Sequence, residues 1–449
     1  MHRGGSWQLH KKQAPPRPRG ELSHTVNIIL HSLRPGPHTQ SPLETYGTLD
    51  KTLRPRIKML PKAATSRLLP ASSTLSVQTL AGICSRKVTK ADYPLASSIS
   101  NNIPIYDLPK YSGLSPSQRS ELQNEWYQVL LHGPGVFVTA GLYRDKALLN
   151  EVNGVYASII EAEKRNAAAK GDHFAAGGKN DRIWNSFSKH ALTDPRSFAA
   201  YYSNPYLALI SSSWLGPGYR ITAQVNNVKP GGSPQECHRD YHLGFQSQAA
   251  AAQYPRAVHL SSQFLTLQGG VAHVDVPLET GPTRLLPYSQ TYEEGYMAWR
   301  EAEFKAYFEA NYVTVPMEQG DGLFFNPALF HAAGANSSAD INRMVNLLQI
   351  SSAFGKTMET IETAPIVERC WGEIGRLYGE QGWSDEVEAL VGAVGEGYPF
   401  PTNLDKNQPE PNELTPPSEQ SVLRKALKNG LTKEEVMEAL QSLQSKSKA

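Results

Sequence analysis

The stretch His238-Arg239-Asp240 constrains this chain more than any other. In a β-strand, residues two apart point to the same face, so His238 and Asp240 can grip one ion while Arg239 points away. His331 follows 91 residues after Asp240, in the segment LFFNPALFHAAG at 323–334. Two imidazoles and one carboxylate make a three-ligand face for a redox-active metal that keeps coordination positions open. To use all three, the chain must bring two distant strands together. A second His-x-Asp, His273-Val274-Asp275, has the same local pattern and competes for the role.

Composition narrows the setting. The 449 residues are 40 % hydrophobic and 19 % charged, a globular balance, and no apolar run approaches the length of a membrane span. Cys84, Cys237 and Cys370 are widely separated. They argue against a disulfide scaffold and fit a reducing compartment, and the lack of a Cys-x-x-Cys pair argues against zinc ribbons and iron–sulfur clusters. Residues 1–100 hold 15 Lys/Arg against 4 Asp/Glu, whereas the remainder holds 29 against 38. A mildly acidic body argues against a nucleic-acid partner.

Residues 1–100, rich in Pro, Ser, Arg and His without sustained periodicity, read as disordered. Within them, 52–90 contain no acid and have the composition of a mitochondrial transit peptide, with Met59 as an alternative start. The expected location is cytoplasmic, or mitochondrial if that segment targets the chain.

Helical support is expected over 102–216. The stretch 115–133 reads as a helix capped by Ser115 or Ser117 and ended by Gly133. A short strand follows at 134–141, then a long amphipathic helix at 143–171 and further helix at 194–216. From Tyr219 the texture changes to short β-type runs with tight turns, at 219–232, 257–278, 311–326 and 343–355. A helical insert at 290–310 interrupts them. This pattern over 219–355 predicts a mainly β core, an antiparallel barrel or double-sheet jelly roll, flanked by helices. A helical extension is expected at 364–397, a linker with six prolines at 399–420, and a helical pair at 421–446 in which Thr432 and Glu435 form a capping box.

Four pieces, in order, carry a family resemblance: CHRDYH (237–242), ETGPTRLLPYSQ (279–290), GDGLFFNPALFHAAGAN (320–336) and INRMVNLLQIS (341–351). Together they make 102–355 resemble the phytanoyl-CoA dioxygenase family of Fe(II)/2-oxoglutarate oxygenases. The resemblance implies a double-stranded β-helix (cupin-like) domain over 102–398. It implies His238, Asp240 and His331 as the iron ligands, Arg343 as the partner of the far carboxylate of 2-oxoglutarate, and Thr283 as a hydroxyl contact to the same cosubstrate. A guanidinium fork suits a carboxylate.

The cofactors implied are Fe(II), 2-oxoglutarate and O2, with ascorbate as reductant. The partner implied is a small organic molecule that is hydroxylated or otherwise oxidised, with succinate and CO2 as coproducts. Halogenases of the same fold have a small residue at the carboxylate position, so Asp240 points to hydroxylation or a related oxidation. Two positions depart from the family pattern: Glu236 stands where relatives often have Gln, and Ser289-Gln290 stands for Ser-His.

Other readings stay beside these. His273 is expected to be a hydrogen-bonded interior residue, and His242 and His259 structural or surface residues. Tyr296, Trp299, Phe304, Tyr307 and Phe308 either pack the insert onto the barrel or face the substrate. Lys179 and Arg182 lie near the mouth or in a solvated loop. A non-catalytic jelly-roll binding module and a different metal-dependent cupin-type enzyme remain as alternatives. The sequence does not set the oligomeric state.

Overall fold

The computed structural model describes residues 66–69, 75–111, 113–165 and 179–448. Its strands are β1 (Ser98–Ser100), β2 (Ile103–Asp107), β3 (Val136–Ala140), β4 (Asn180–Ile183), β5 (Arg220–Val228), β6 (Thr266–Ala272), β7 (Arg284–Leu286), β8 (Gly322–Phe325), β9 (Phe330–Ala332) and β10 (Arg343–Ser351). Eight of them form one mixed sheet in the order β1-β2-β3-β8-β6-β10-β5-β4. Only β2 and β3 run parallel; the other pairs are antiparallel. The remaining two, β7 and β9, pair as a separate ribbon.

The expected sheet-rich core is therefore present, but among the described residues the strands do not close into a barrel. The ribbon has a chemical reason to stay short. Pro282 and Pro287 flank β7 and Pro327 precedes β9, and proline has no N–H to donate to a ladder. Beyond the ribbon, pairing continues only as isolated bridges, among them His238 with His331 and Leu285 with Val313.

Strand β10 shows how the sheet acquires two faces. Leu348 and Ile350 point to one side and are fully buried, in the same core as Phe187, Phe198, Tyr202 and Val367 of the helical layer. Arg343, Val345, Leu347 and Gln349 point to the other side and line a cavity of about 380 Å³. Period-two alternation produces this split.

Most expected elements appear. The helix Pro116–Leu131 is capped by Ser115, with Gln118 closing the capping box. Lys146–Arg165 is the long amphipathic helix. Pro195–Tyr202 and Pro205–Leu215 replace one helix by two, because Pro205 opens a new first turn after the Asn204 cap. The helices Thr363–Gln381 and Asp385–Val394 form the extension, and Glu419–Lys428 and Lys433–Ser447 form the C-terminal pair, with the expected Thr432/Glu435 capping box.

The expected β-type run at 257–278 opens instead as the helix Arg256–Ser262 and is strand only over Thr266–Ala272. Residues 75–100, read as disordered, are folded. The helix Val77–Cys84 is capped by Ser76 and buries Leu80 completely. Leu80 shares a core with Cys237, Tyr292, Phe304, Phe308 and Phe330. Eight residues cannot hold a helix alone; this one is held by partners far along the chain, which local composition does not register. Of the segment read as a transit peptide, residues 52–65 and 70–74 lie outside the described residues, and its last part, 75–90, is folded. No described helix is long and apolar enough to cross a membrane.

Candidate metal centre

The backbone brings His238 and His331 together first. His238 N–H donates to the His331 carbonyl at 2.9 Å, and His331 N–H returns the bond at 3.0 Å. Their rings then lie 4.4 Å apart, centroid to centroid. Asp240, two residues beyond His238, brings its Oδ2 to 3.8 Å from His238 Nε2 and 3.6 Å from His331 Nε2. One donor atom from each of the three lies within 4.8 Å of the others, the one such group among the described residues.

Hydrogen bonds orient each ligand. His238 Nδ1 lies 2.8 Å from the Glu236 carbonyl and His331 Nδ1 lies 2.9 Å from the Leu329 carbonyl. A carbonyl only accepts, so both Nδ1 atoms carry the proton and both Nε2 lone pairs face the shared centre. Gln268 Nε2 donates to Asp240 Oδ2 at 2.7 Å. Burial opposes ionisation of Asp240, and the amide donated by Gln268 favours its carboxylate form. For His238, burial and the neighbouring His331 lower the pKa. The set thus offers two imidazole nitrogens and one carboxylate, donors that suit a hard-to-borderline divalent ion.

The same cavity holds the residues expected to hold a cosubstrate. Arg343 is almost fully buried, and its Nη1 donates to the Thr280 and Gly334 carbonyls at 3.1 and 3.2 Å. Burial lowers its pKa to about 10, which leaves it charged at neutral pH. Thr283 lines the cavity as well. No carboxylate pairs with Arg343 among the described residues, and its guanidinium rests on the two carbonyls.

The competing His-x-Asp stands elsewhere. His273 is wholly buried, with Nδ1 2.6 Å from Asn153 Oδ1 and Nε2 3.0 Å from the Tyr201 hydroxyl. Both nitrogens are occupied, and burial pushes its pKa down to about 3. Asp275 accepts from the Gln319 backbone N–H at 2.8 Å. His259 is tied to the Ala251 carbonyl, and His242 approaches Thr266; neither lines the cavity.

The insert aromatics divide. Trp299 lines the cavity, 6.5 Å from the His238 ring, while Phe304 and Phe308 are buried in the core beneath. Arg182 reaches the cavity wall, where it donates to Gln224 Oε1 at 3.1 Å; Lys179 packs against Gly231 instead. The two departures from the family pattern have structural roles. Glu236 turns outward to Lys305 at 2.9 Å, and Gln290 is buried with its amide on the Gly133 carbonyl at 2.8 Å.

Gln224, Asn226, Gln268, Gln349 and Met358 also line the cavity and are not legible as site residues from the sequence. Register alone could have found some of them: Gln349 of β10 stands opposite Gln268 of β6, and Gln268 in turn touches Asp240.

A His/Asp/His cluster with Asp240 and His331 buried and His238 half-buried, beside a mostly antiparallel sheet, defines a candidate mononuclear metal protein. Over residues 138–345 the chain matches the phytanoyl-CoA dioxygenase (PhyH) family, so the resemblance drawn from the sequence holds for that stretch.

A curated relative, "Dioxygenase andF" of Emericella variicolor, is 25 % identical over 148 residues, which are 31 % of this chain. The chain spans 45 % of that relative's length. Among solved structures, the non-heme alpha ketoglutarate dependent epimerase SnoN from nogalamycin biosynthesis is 20 % identical, with a TM-score of 0.38 over 53 % of this chain and 82 % of its own. The non-heme alpha ketoglutarate dependent carbocyclase SnoK of the same biosynthesis is 18 % identical, with a TM-score of 0.38 over 54 % and 85 %.

Proposed function

We propose that this chain is a non-haem Fe(II)- and 2-oxoglutarate-dependent dioxygenase that hydroxylates or otherwise oxidises a small organic molecule. The observation that carries this reading is one cavity shared by His238, Asp240, His331 and the buried Arg343. The donor set fits the metal: His238 Nε2, His331 Nε2 and one Asp240 oxygen would hold Fe(II). Bound there, Fe(II) with 2-oxoglutarate and O2 supplies the oxidising chemistry, with succinate and CO2 as coproducts and ascorbate keeping the metal reduced.

The chain's own residues do the rest. Arg343 holds the far carboxylate of 2-oxoglutarate, and the Thr283 hydroxyl adds a hydrogen bond. Gln268 keeps Asp240 ionised and pointed at the metal. Leu323, Phe325 and Val345 wall the cavity and exclude water. Trp299 and Arg182 lie where a substrate would enter. The sheet and ribbon support a double-stranded β-helix architecture, with residues 75–397 as the catalytic unit and the C-terminal helices packed on it.

Oxygen-free Fe(II) titration followed by 2-oxoglutarate, then succinate release in air with ascorbate, tests the proposal. The wild-type chain should bind both and release succinate slowly even without substrate. A chain that binds no Fe(II) would sink the reading. Binding of Fe(II) with indifference to 2-oxoglutarate would move it to another cupin-type metal enzyme.

A further inference from the structure

Between the two ligands of the His-x-Asp lies a residue for which metal binding has no direct use. Arg239 points away from the metal cluster and is 2 % exposed. Its guanidinium sits between the Tyr296 and Phe330 rings, 5.1 Å from each centroid. Its Nη2 donates to the Ser289 carbonyl and, at 2.8 Å, to the Tyr292 carbonyl. No carboxylate pairs with it among the described residues, and its Nε is buried without a partner. Burying a cation on two carbonyls and two rings is costly. A Leu or Met would fill the same space without that cost.

The surroundings are cut to fit this guanidinium. A Cβ on Gly295 would lie 1.9 Å from Arg239 Cζ, and a Cβ on Gly244 would lie 1.9 Å from the Arg239 carbonyl oxygen. Tyr296, next to Gly295, donates its hydroxyl to the Asp240 carbonyl at 3.0 Å. The segment 289–296 therefore holds both the side chain and the backbone of the stretch that carries the ligands. His238 is fixed on the opposite edge through its backbone bridge to His331.

We infer that Arg239, caged by residues 289–296, is a positioning residue: it sets the relative orientation of His238 and Asp240 and thereby tunes metal affinity. This rests on the proposed metal site. The lever is geometric. A rotation of the 238–240 backbone moves both ligands, and the guanidinium, tied to two carbonyls on another segment, opposes it. A group that orients metal ligands typically changes affinity 10- to 100-fold when lost.

The test is oxygen-free Fe(II) titration of the full chain, read as a dissociation constant and as the visible charge-transfer absorption of the Fe(II)·2-oxoglutarate chelate. The variants are Arg239→Lys and Tyr296→Phe, with Leu440→Ala as a control that loosens the C-terminal helix, whose contact face Leu440 buries away from the cavity. In metal-free form each is first checked by circular dichroism and melting.

The expected result is Fe(II) affinity down roughly 10- to 100-fold in Arg239→Lys, with an altered absorption band. A smaller loss is expected in Tyr296→Phe, and wild-type affinity and band in Leu440→Ala. A folded Arg239→Lys with wild-type affinity and band overturns the inference. If Arg239→Lys does not fold, Tyr296→Phe decides: wild-type affinity there overturns it, and reduced affinity supports it. Failure of the wild-type chain to bind Fe(II) would instead overturn the proposed function.

Discussion

Asp240 and Asp275 are the same residue type in the same local pattern, yet they have opposite surroundings. Asp240 faces two imidazoles and an amide donor, whereas Asp275 accepts one backbone N–H. Asp240→Ala should therefore abolish Fe(II) binding in an oxygen-free titration, and Asp275→Ala should leave the dissociation constant unchanged. Loss of binding in Asp275→Ala would mean the ligand set is misassigned. Arg343 permits a separate prediction. Its loss as Arg343→Met removes charge-assisted bonds of about 1.5–3 kcal/mol. Half-saturation by 2-oxoglutarate should rise roughly 10- to 100-fold while Fe(II) affinity stays constant. Equal loss of both affinities would show that Arg343 supports the fold rather than the cosubstrate. At this scale the candidate metal-binding triad and the cavity-lining Arg343 were legible because their chemistry is distinctive and their order matches a family. Gln268 was not, because a glutamine in a strand carries no signal until the register sets it beside Asp240.

The element scale is where local reading is weakest. The helix Val77–Cys84 has a clear cap in Ser76 but draws its stability from Leu80 meeting Tyr292, Phe304 and Phe308. Leu80→Ala should cost about 2–5 kcal/mol, read as a lowered melting temperature. No change would mean the helix is peripheral. The helical layer makes a second prediction through two buried histidines. Burial pushes His273 to about 3 and His190 to about 4. The unfolded chain binds protons to these residues below about 6.5 while the folded chain does not, so stability is full above that value and falls as pH drops toward 4. The slope should approach about 1.4 kcal/mol per pH unit for each histidine. Denaturant unfolding of His273→Asn and wild type across pH 4–7 measures this. An unchanged slope in the variant would mean that His273 is protonated in the folded state. By contrast, the helices at 116–131 and 433–447 were legible in the sequence, since their caps and periodicity act within a few residues.

For the whole molecule, the proposed site would couple metal and cosubstrate binding to folding, because His238 and Asp240 come from a segment almost a hundred residues from His331. Ligands that bind only the folded chain stabilise it by mass action, by about 2.7 kcal/mol at a hundredfold excess over the dissociation constant. Mn(II) together with 2-oxoglutarate should therefore raise the melting temperature by several degrees, more than either alone, and a chelator should reverse the shift. No shift with either would argue for a cavity that holds neither.

By itself the sequence determined which side chains can bind a metal and where the capped helices at 116–131 and 433–447 lie, because these depend on chemistry and spacing within a short stretch. Only the tertiary structure decided that His238-x-Asp240 rather than His273-x-Asp275 faces His331, that Arg239 is caged rather than solvated, and that residues 75–100 are folded. Each of those outcomes depends on which distant segment is hydrogen-bonded or packed against which. That pairing is a property of strand register and burial rather than of any local run of residues.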